Sequence, residues 1–309
     1  MRIAYIDCFS GISGDMMFAA LVDAGADLSW IEQELYKLPV SFELEWNTTV
    51  KKGVSALKLD VHDLERDHAK LSQTHNHQHA HMEEPDHDQI PELDDNLSEQ
   101  LPEHHDESKH DHDHHQHHEH HHHDHHHEHD HKHHHDHHHH HRGYHDIVEM
   151  IKQTDLSEQV KKHALAIFYE IGKAESKIHN IPIEVVHFHE VGAVDSIVDI
   201  VGVSLALENL GIEALYCGPV PTGNGFVRCD HGLYPVPAPA TLEILKDIPL
   251  RTTTIQHELT TPTGAGVAKA LVSQFGPLPA MTVERIGYGA GTRDLEDQPN
   301  VLRILIGSI

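Results

Sequence analysis

Arg2-Ile-Ala-Tyr-Ile-Asp-Cys-Phe-Ser-Gly-Ile-Ser-Gly-Asp-Met-Met-Phe-Ala-Ala-Leu-Val-Asp-Ala-Gly25 opens the chain with a strand, a loop and a helix in immediate succession. Arg2 to Ile6 alternates in β-prone residues and closes on Asp7. Small residues follow from Ser10 to Asp15, and Met16 to Ala24 then carries apolar residues at helical spacing until Gly25 stops it. A strand feeding a glycine-bearing turn and a helix start offers free backbone N–H groups to an anion. Gly11, Ser13 and Gly14 are therefore candidate ligand-binding residues, weaker in signal than a P-loop because no GKS/T follows. Asp7 and Asp15 are candidate metal ligands. The competing reading makes one a turn carboxylate and the other a helix-capping acid.

Working outward, Asp27 or Ser29 caps a second short helix running through Leu38. Phe42 to Thr49 and Val54 to Val61 alternate as a hairpin, with Lys52-Gly53 at the turn. Helical spacing returns at Tyr144 to Thr154 and Leu156 to His179, where Ile167, Ile171, Ala174 and Ile178 share a face. Ser204 to Leu210 continues a helix to Gly211, and Ala214 to Cys217 is a strand. Proline and glycine in Gly218 to Phe226 and His231 to Ala240 rule out long regular structure and make well-defined loops. Ala240 to Ile248 and Val267 to Phe275 are predicted helices, Met281 to Gly287 and Val301 to Ile306 strands. The run Gly287-Tyr-Gly-Ala-Gly-Thr-Arg-Asp between them does not match a dinucleotide fingerprint. The fold class expected is α/β, with α+β as the alternative: a mixed sheet with packed helices, since no strict βαβ rhythm exists.

The insertion interrupting this pattern is chemically loud. From His104 to His141, 25 of 38 positions are histidine and most of the rest are acidic. Nothing there can build a core, so a disordered segment is expected over 73–142, between an N-terminal part (1–72) and the remainder of the domain (143–309). Imidazole is a common ligand for divalent transition metals. His120, His121, His122, His123, His125, His137, His138 and His139 represent a dense, exchangeable metal reservoir; a solvated spacer is the plainer alternative.

The net charge of −28 is divided between this tract and the rest. Between His75 and His141, 18 acids face Lys109 and Lys132, which puts −16 there and −12 elsewhere. Such acidity disfavours a phosphate-backbone partner, so no nucleic acid is expected. Cys8, Cys217 and Cys229 cannot all pair and show no CxxC spacing, which favours a reducing compartment. With no signal peptide and no membrane-length apolar run, the expected location is cytoplasmic.

Two further segments carry chemistry. In Val185-Val-His-Phe-His-Glu-Val-Gly-Ala-Val-Asp-Ser-Ile-Val-Asp-Ile, an extended start would point His187 and His189 to one face. Glu190 would end that strand, and Asp195 and Asp199 would follow four apart on a helix. Two imidazoles and up to three carboxylates suit a borderline divalent cation, so His187, His189, Glu190 and Asp199 are candidate metal ligands. Glu258-Leu-Thr-Thr-Pro-Thr-Gly-Ala-Gly places Thr260, Thr261, Thr263 and Gly264 at a helix start, where an anionic group such as phosphate fits; a purely structural capped turn is the alternative.

These segments in order, together with PTGNGFVRCDHGLYPVPAPAT and IGYGAGTRDLEDQPNVLR, resemble the LarC family over essentially the whole chain outside the tract. The resemblance implies nickel insertion into pyridinium-3,5-bisthiocarboxylic acid mononucleotide, making the nickel-pincer cofactor of lactate racemase. It also implies CTP hydrolysis with a supporting Mn²⁺ or Mg²⁺ ion, and lactate racemase apoprotein as the recipient. Cyclometallation removes a pyridinium C–H proton, for which Glu190 or Asp195 is the candidate base. Family members continue into a C-terminal portion linked to nucleotide binding and homo-oligomer formation, so this chain resembles the N-terminal portion. The competing functions are a nickel storage and delivery chaperone without chemistry, and, more weakly, a metal-dependent hydrolase.

Overall fold

The computed structural model describes residues 1–64, 142–188, 191–229 and 231–309, and all of them belong to one unit. Its backbone is a seven-stranded mixed sheet. Strands β1 (Arg2–Asp7), β2 (Phe42–Lys51), β3 (Val54–Asp63) and β4 (Ala214–Cys217) come first in the chain, and β9 (Val272–Phe275), β10 (Thr282–Ala290) and β11 (Val301–Ser308) complete the sheet. Their spatial order is β2-β3-β10-β11-β1-β4-β9. β1 pairs parallel with β4 and β4 parallel with β9, while β1–β11, β10–β11 and β2–β3 are antiparallel. Two small ribbons lie apart from the sheet: β5 (Val220–Pro221) with β8 (Leu250–Arg251), and the hairpin β6 (Phe226–Cys229) with β7 (Gly232–Pro235).

Among the described residues, seven helices accompany these strands: α1 (Gly14–Asp23), α2 (Leu28–Leu35), α3 (Tyr144–Gln153), α4 (Glu158–His179), α5 (Val194–Asn209), α6 (Pro239–Ile244) and α7 (Pro262–Leu271). Side chains such as Asp27 and Ser157 start them, accepting hydrogen bonds from the Trp30 and Val160 N–H groups. Along β11, Leu302, Ile304 and Ile306 are fully buried in the helix-facing core, whereas the alternate positions Arg303 and Leu305 are half-buried. That period of two is the mark of a sheet with one face packed under helices. α1 lies over β3, β10 and β11, and α5 packs on α1, with the Phe18 ring held between Trp46 (5.2 Å, edge-on) and the helix at Gly202. No helix among the described residues is long and apolar enough to cross a membrane.

The hairpin turn at Lys52-Gly53 forms as its sequence predicts, with both residues at positive φ (48° and 83°), the twist that matches flanking strands. Three expectations are corrected. The helix expected over Val267 to Phe275 starts instead at Pro262, behind the Thr261 cap, and ends at Leu271; Val272 to Phe275 is the edge strand β9. Proline at the first helical position explains the early start, and the pairing of β9 with β4 overrides the helical spacing of its residues. Half of the Gly287–Asp294 run is strand rather than loop, because Gly287–Ala290 pairs with Val301–Ile304 of β11, and its glycines let α1 cross there. A Cβ at Gly289 would lie 1.9 Å from the Met16 carbonyl oxygen. Ile178, finally, is 45% exposed and does not share the buried face of Ile167, Ile171 and Ala174.

Candidate functional site

The loop leaving β1 turns back at Gly11, whose N–H donates to the Cys8 carbonyl (2.9 Å), and runs into α1. There it meets the segment entering α7. Ile12 and Thr260 form a parallel bridge, in which the Ile12 N–H donates to the Leu259 carbonyl and the Thr261 N–H to the Ile12 carbonyl, both at 3.1 Å. Gly264 allows this approach, since a Cβ there would sit 2.0 Å from the Ile12 oxygen. The two glycine-bearing helix starts, some 250 positions apart in sequence, thus lie side by side.

Their hydroxyls and N–H groups form one network. The Thr261 hydroxyl accepts from the Gly264 N–H (3.3 Å) and caps α7, the Thr263 hydroxyl accepts from the Gly14 N–H (3.1 Å), and the two oxygens are 2.9 Å apart. When Thr261 donates to Thr263, the Thr263 proton is left to turn into the adjoining cavity. Ser13 donates to the Asp15 carboxylate. Thr260 is engaged elsewhere: it is fully buried and donates to the Pro221 carbonyl (2.7 Å), so it braces the loop and does not line the cavity.

A cavity of about 420 Å³ opens beside this junction. α5 supplies Asp195 and Asp199, one turn apart as their spacing predicts, and β3 supplies Lys58 and Asp60. Among the described residues, the carboxylates of Asp15, Asp60, Asp195, Asp199 and Glu258 line it with one ammonium, that of Lys58, which donates to Asp60 (2.5 Å) and the Leu59 carbonyl (2.9 Å). Asp199 is 8% exposed and abuts Gly14, where a Cβ would fall 2.8 Å from its Oδ2. Its Oδ1 is buried with no hydrogen-bond partner among the described residues. Burial first, then the charges of Asp15 and Asp195, push the Asp199 carboxyl well above the usual carboxylate range. Burial also raises Asp15, opposed by the Ser13 hydrogen bond and by Lys58. A cation entering here would find an unsatisfied oxygen and relieve the repulsion among these acids.

Of the remaining sequence candidates, Asp7 stands outside this cavity in an ion pair with Arg303. His187 is exposed, in a short extended piece bridged to Gly143, and the residues just before it form a 3₁₀ turn at Ile183–Val185. His189, Glu190 and the tract histidines lie outside the described residues. Among the described residues no three His, Cys, Asp or Glu side chains are gathered tightly enough to hold a metal ion as they stand. Sequence reasoning missed Lys58 and Asp60, whose only signal was a shared strand face at i and i+2 inside an ordinary hairpin.

A family model describing nickel insertion proteins matches residues 4–308. Three similar proteins bear the name pyridinium-3,5-bisthiocarboxylic acid mononucleotide nickel insertion protein. That of Geobacillus kaustophilus is 47% identical over 308 residues, covering 99% of this chain and 60% of the relative. That of Staphylococcus epidermidis is 41% identical over 305 residues (98% and 59%), and that of Desulfitobacterium hafniense 38% over 310 residues (100% and 59%). The chain thus spans about 60% of the length of these relatives. No solved structure matches it.

Proposed function

The chain belongs to the nickel insertion protein family, and on that premise we propose that it inserts Ni²⁺, as substrate, into pyridinium-3,5-bisthiocarboxylic acid mononucleotide. The observation carrying this reading is the convergence of two helix starts and a carboxylate cluster on one cavity. An acceptor with a phosphate at one end and a metal-binding ring at the other needs both kinds of surface. In this reading the phosphate accepts from the Thr263 hydroxyl at the two adjoining helix starts, whose N-termini favour negative charge. The ring and the incoming cation lie toward Asp195 and Asp199.

The acidic lining decides the order of events. Five carboxylates repel a bare anionic ligand, so the acceptor enters with a cation or after Asp199 has taken a proton. Forming a nickel–carbon bond at the ring requires the departing C–H proton to be accepted. Asp195, exposed at the rim one turn before Asp199, is the base among the described residues, and Glu190 is the alternative. The tract from His104 to His141 serves as the nickel store feeding this step.

CTP hydrolysis and lactate racemase as recipient complete the proposal by family resemblance. Asp199, with its unpartnered oxygen, and its neighbours Asp15 and Asp195 are the residues that fit a supporting Mn²⁺ or Mg²⁺ ion. The test is equilibrium dialysis of the acceptor mononucleotide against the chain, with and without Ni²⁺. Saturable binding that weakens in Thr263→Val supports the site; equal binding by both proteins removes it.

A further inference from the structure

Among the described groups lining the carboxylate cavity one is a cation, Lys58 of β3. Its side chain is only 10% exposed. An ammonium is strongly hydrated, and burying one is costly unless its hydrogens are met. It carries three of them. One goes to the Asp60 carboxylate (2.5 Å) and one to the Leu59 carbonyl (2.9 Å). The third has no acceptor among the described residues, and the cavity that Lys58 lines is open to it. Asp60 does not account for the burial, because its own side chain is 43% exposed and a surface lysine would pair with it equally well.

We propose that Lys58 selects the acceptor, its ammonium donating the third hydrogen to the oxygen of one ring thiocarboxylate. This rests on the function proposed above. The acceptor carries two kinds of anion, a phosphate at one end and thiocarboxylates on the ring. The Thr263 hydroxyl and the helix starts meet the phosphate, which leaves a ring substituent for Lys58. A thiocarboxylate offers a hard oxygen and a soft sulfur. The ammonium takes the oxygen as a charge-assisted hydrogen bond, and the sulfur stays free for a borderline cation such as Ni²⁺.

The charge of Lys58 is felt across the cavity. Burial raises the Asp15 and Asp199 carboxyls, and the Lys58 ammonium is among the groups that pull both back down. Within a lining of Asp15, Asp60, Asp195, Asp199 and Glu258, that positive charge offsets part of the repulsion an anionic ring would meet. An uncharged substituent gains far less from it. The cavity therefore prefers a pyridinium mononucleotide with an anionic ring substituent over one with an amide.

The test compares two mononucleotides that differ only at the ring: nicotinic acid mononucleotide, with a carboxylate, and nicotinamide mononucleotide, with an amide. Both keep the phosphate, and the carboxylate oxygen stands in for that of the thiocarboxylate. Binding to the full chain is measured by titration calorimetry at one fixed Mg²⁺ concentration. The wild type is expected to favour the carboxylate by about tenfold or more, the effect of a hydrogen bond to a charged group. Lys58→Met should abolish that preference and leave amide binding unchanged. Asp60→Asn, which releases Lys58 from its internal partner, should widen it, whereas Thr263→Val should weaken both ligands alike. Equal binding of the two ligands by the wild type, or a preference that survives in Lys58→Met, overturns the proposal. So does an equal loss of both ligands in Lys58→Met, which would put the phosphate on Lys58. Should Lys58→Met not fold, Asp60→Asn decides, and an unwidened preference overturns the proposal. Failure of both ligands to bind the wild type would instead bring down the mononucleotide reading of the cavity and this inference with it, so the two failures are distinguishable.

Discussion

Removing the Thr263 hydroxyl without changing the side chain's shape, as Thr263→Val, attacks the junction on which the site is built. The Gly14 N–H that it receives is a helix-start donor in a buried setting, 3.1 Å from Oγ1. Leaving such a donor unsatisfied costs about 1–3 kcal/mol. Taking about 2 kcal/mol, a domain of this size loses roughly 4–8 °C in Tm. Thr261→Val removes the cap on the Gly264 N–H, worth about 1 kcal/mol. The two oxygens are 2.9 Å apart, so the losses should not add: the double variant should be less destabilised than the sum by about 0.5 kcal/mol or more. Thermal unfolding of the four proteins, followed by circular dichroism, closes the cycle. Acceptor binding read in parallel should weaken about tenfold or more in Thr263→Val, since a hydrogen bond to a charged group is worth about 1.5–3 kcal/mol. An unchanged Tm in Thr263→Val, or strict additivity in the double variant, would refute the idea that the two helix starts form one unit.

Asp199→Asn should stabilise the protein in a pH-dependent way. The folded state raises this carboxyl above its unfolded value, so the group's stabilising contribution is full below the ordinary carboxylate range and is lost as pH rises through the raised value. The Tm advantage of the variant should therefore grow from acid toward neutral pH; a constant offset in a pH series would contradict the burial of this carboxyl beside Asp15 and Asp195. Gly289→Ala should cost at least about 2 kcal/mol, because the new Cβ meets the Met16 backbone oxygen at 1.9 Å. Gly276→Ala, with nothing within 4 Å, should stay within about 0.5 kcal/mol in the same denaturant titration. Deleting residues 104–141 should leave nickel insertion intact at saturating Ni²⁺ and lower it at limiting Ni²⁺; loss at both concentrations would make the tract part of the site itself.

Local signals made much of the fold legible. Alternation in Arg2–Ile6, the stop at Gly25 and the Lys52-Gly53 turn each determine backbone geometry within a few residues, and the elements formed there. The four-residue spacing of Asp195 and Asp199 likewise survives, since it depends only on helix periodicity. What failed was decided by partners distant in sequence. Val272–Phe275 is a strand because β4 offers an edge, and Gly287–Ala290 is a strand because it pairs with Val301–Ile304 of β11 while its glycines let α1 pass close over it. The site follows the same division. Its individual residues stood out chemically, but only the Ile12–Thr260 bridge brings the two glycine–threonine segments together, and no local signal announces Lys58 and Asp60 as the opposite wall. Asp7 stands apart from this cavity for a similar reason, paired with Arg303 from the other end of the chain.

The central claim is that this chain takes part in putting nickel into the pyridinium mononucleotide, and a metallation assay tests it most directly. The chain would be mixed with Ni²⁺, CTP and the bisthiocarboxylated acceptor, alone and with the remaining portion of a relative's length supplied as a second polypeptide. Mass spectrometry of the small-molecule fraction is expected to show the acceptor carrying one nickel and lacking one proton of the ring, with less of it formed by Thr263→Val. Tight nickel uptake by the protein with no nickel on the acceptor in either mixture would contradict the account and leave a metal store.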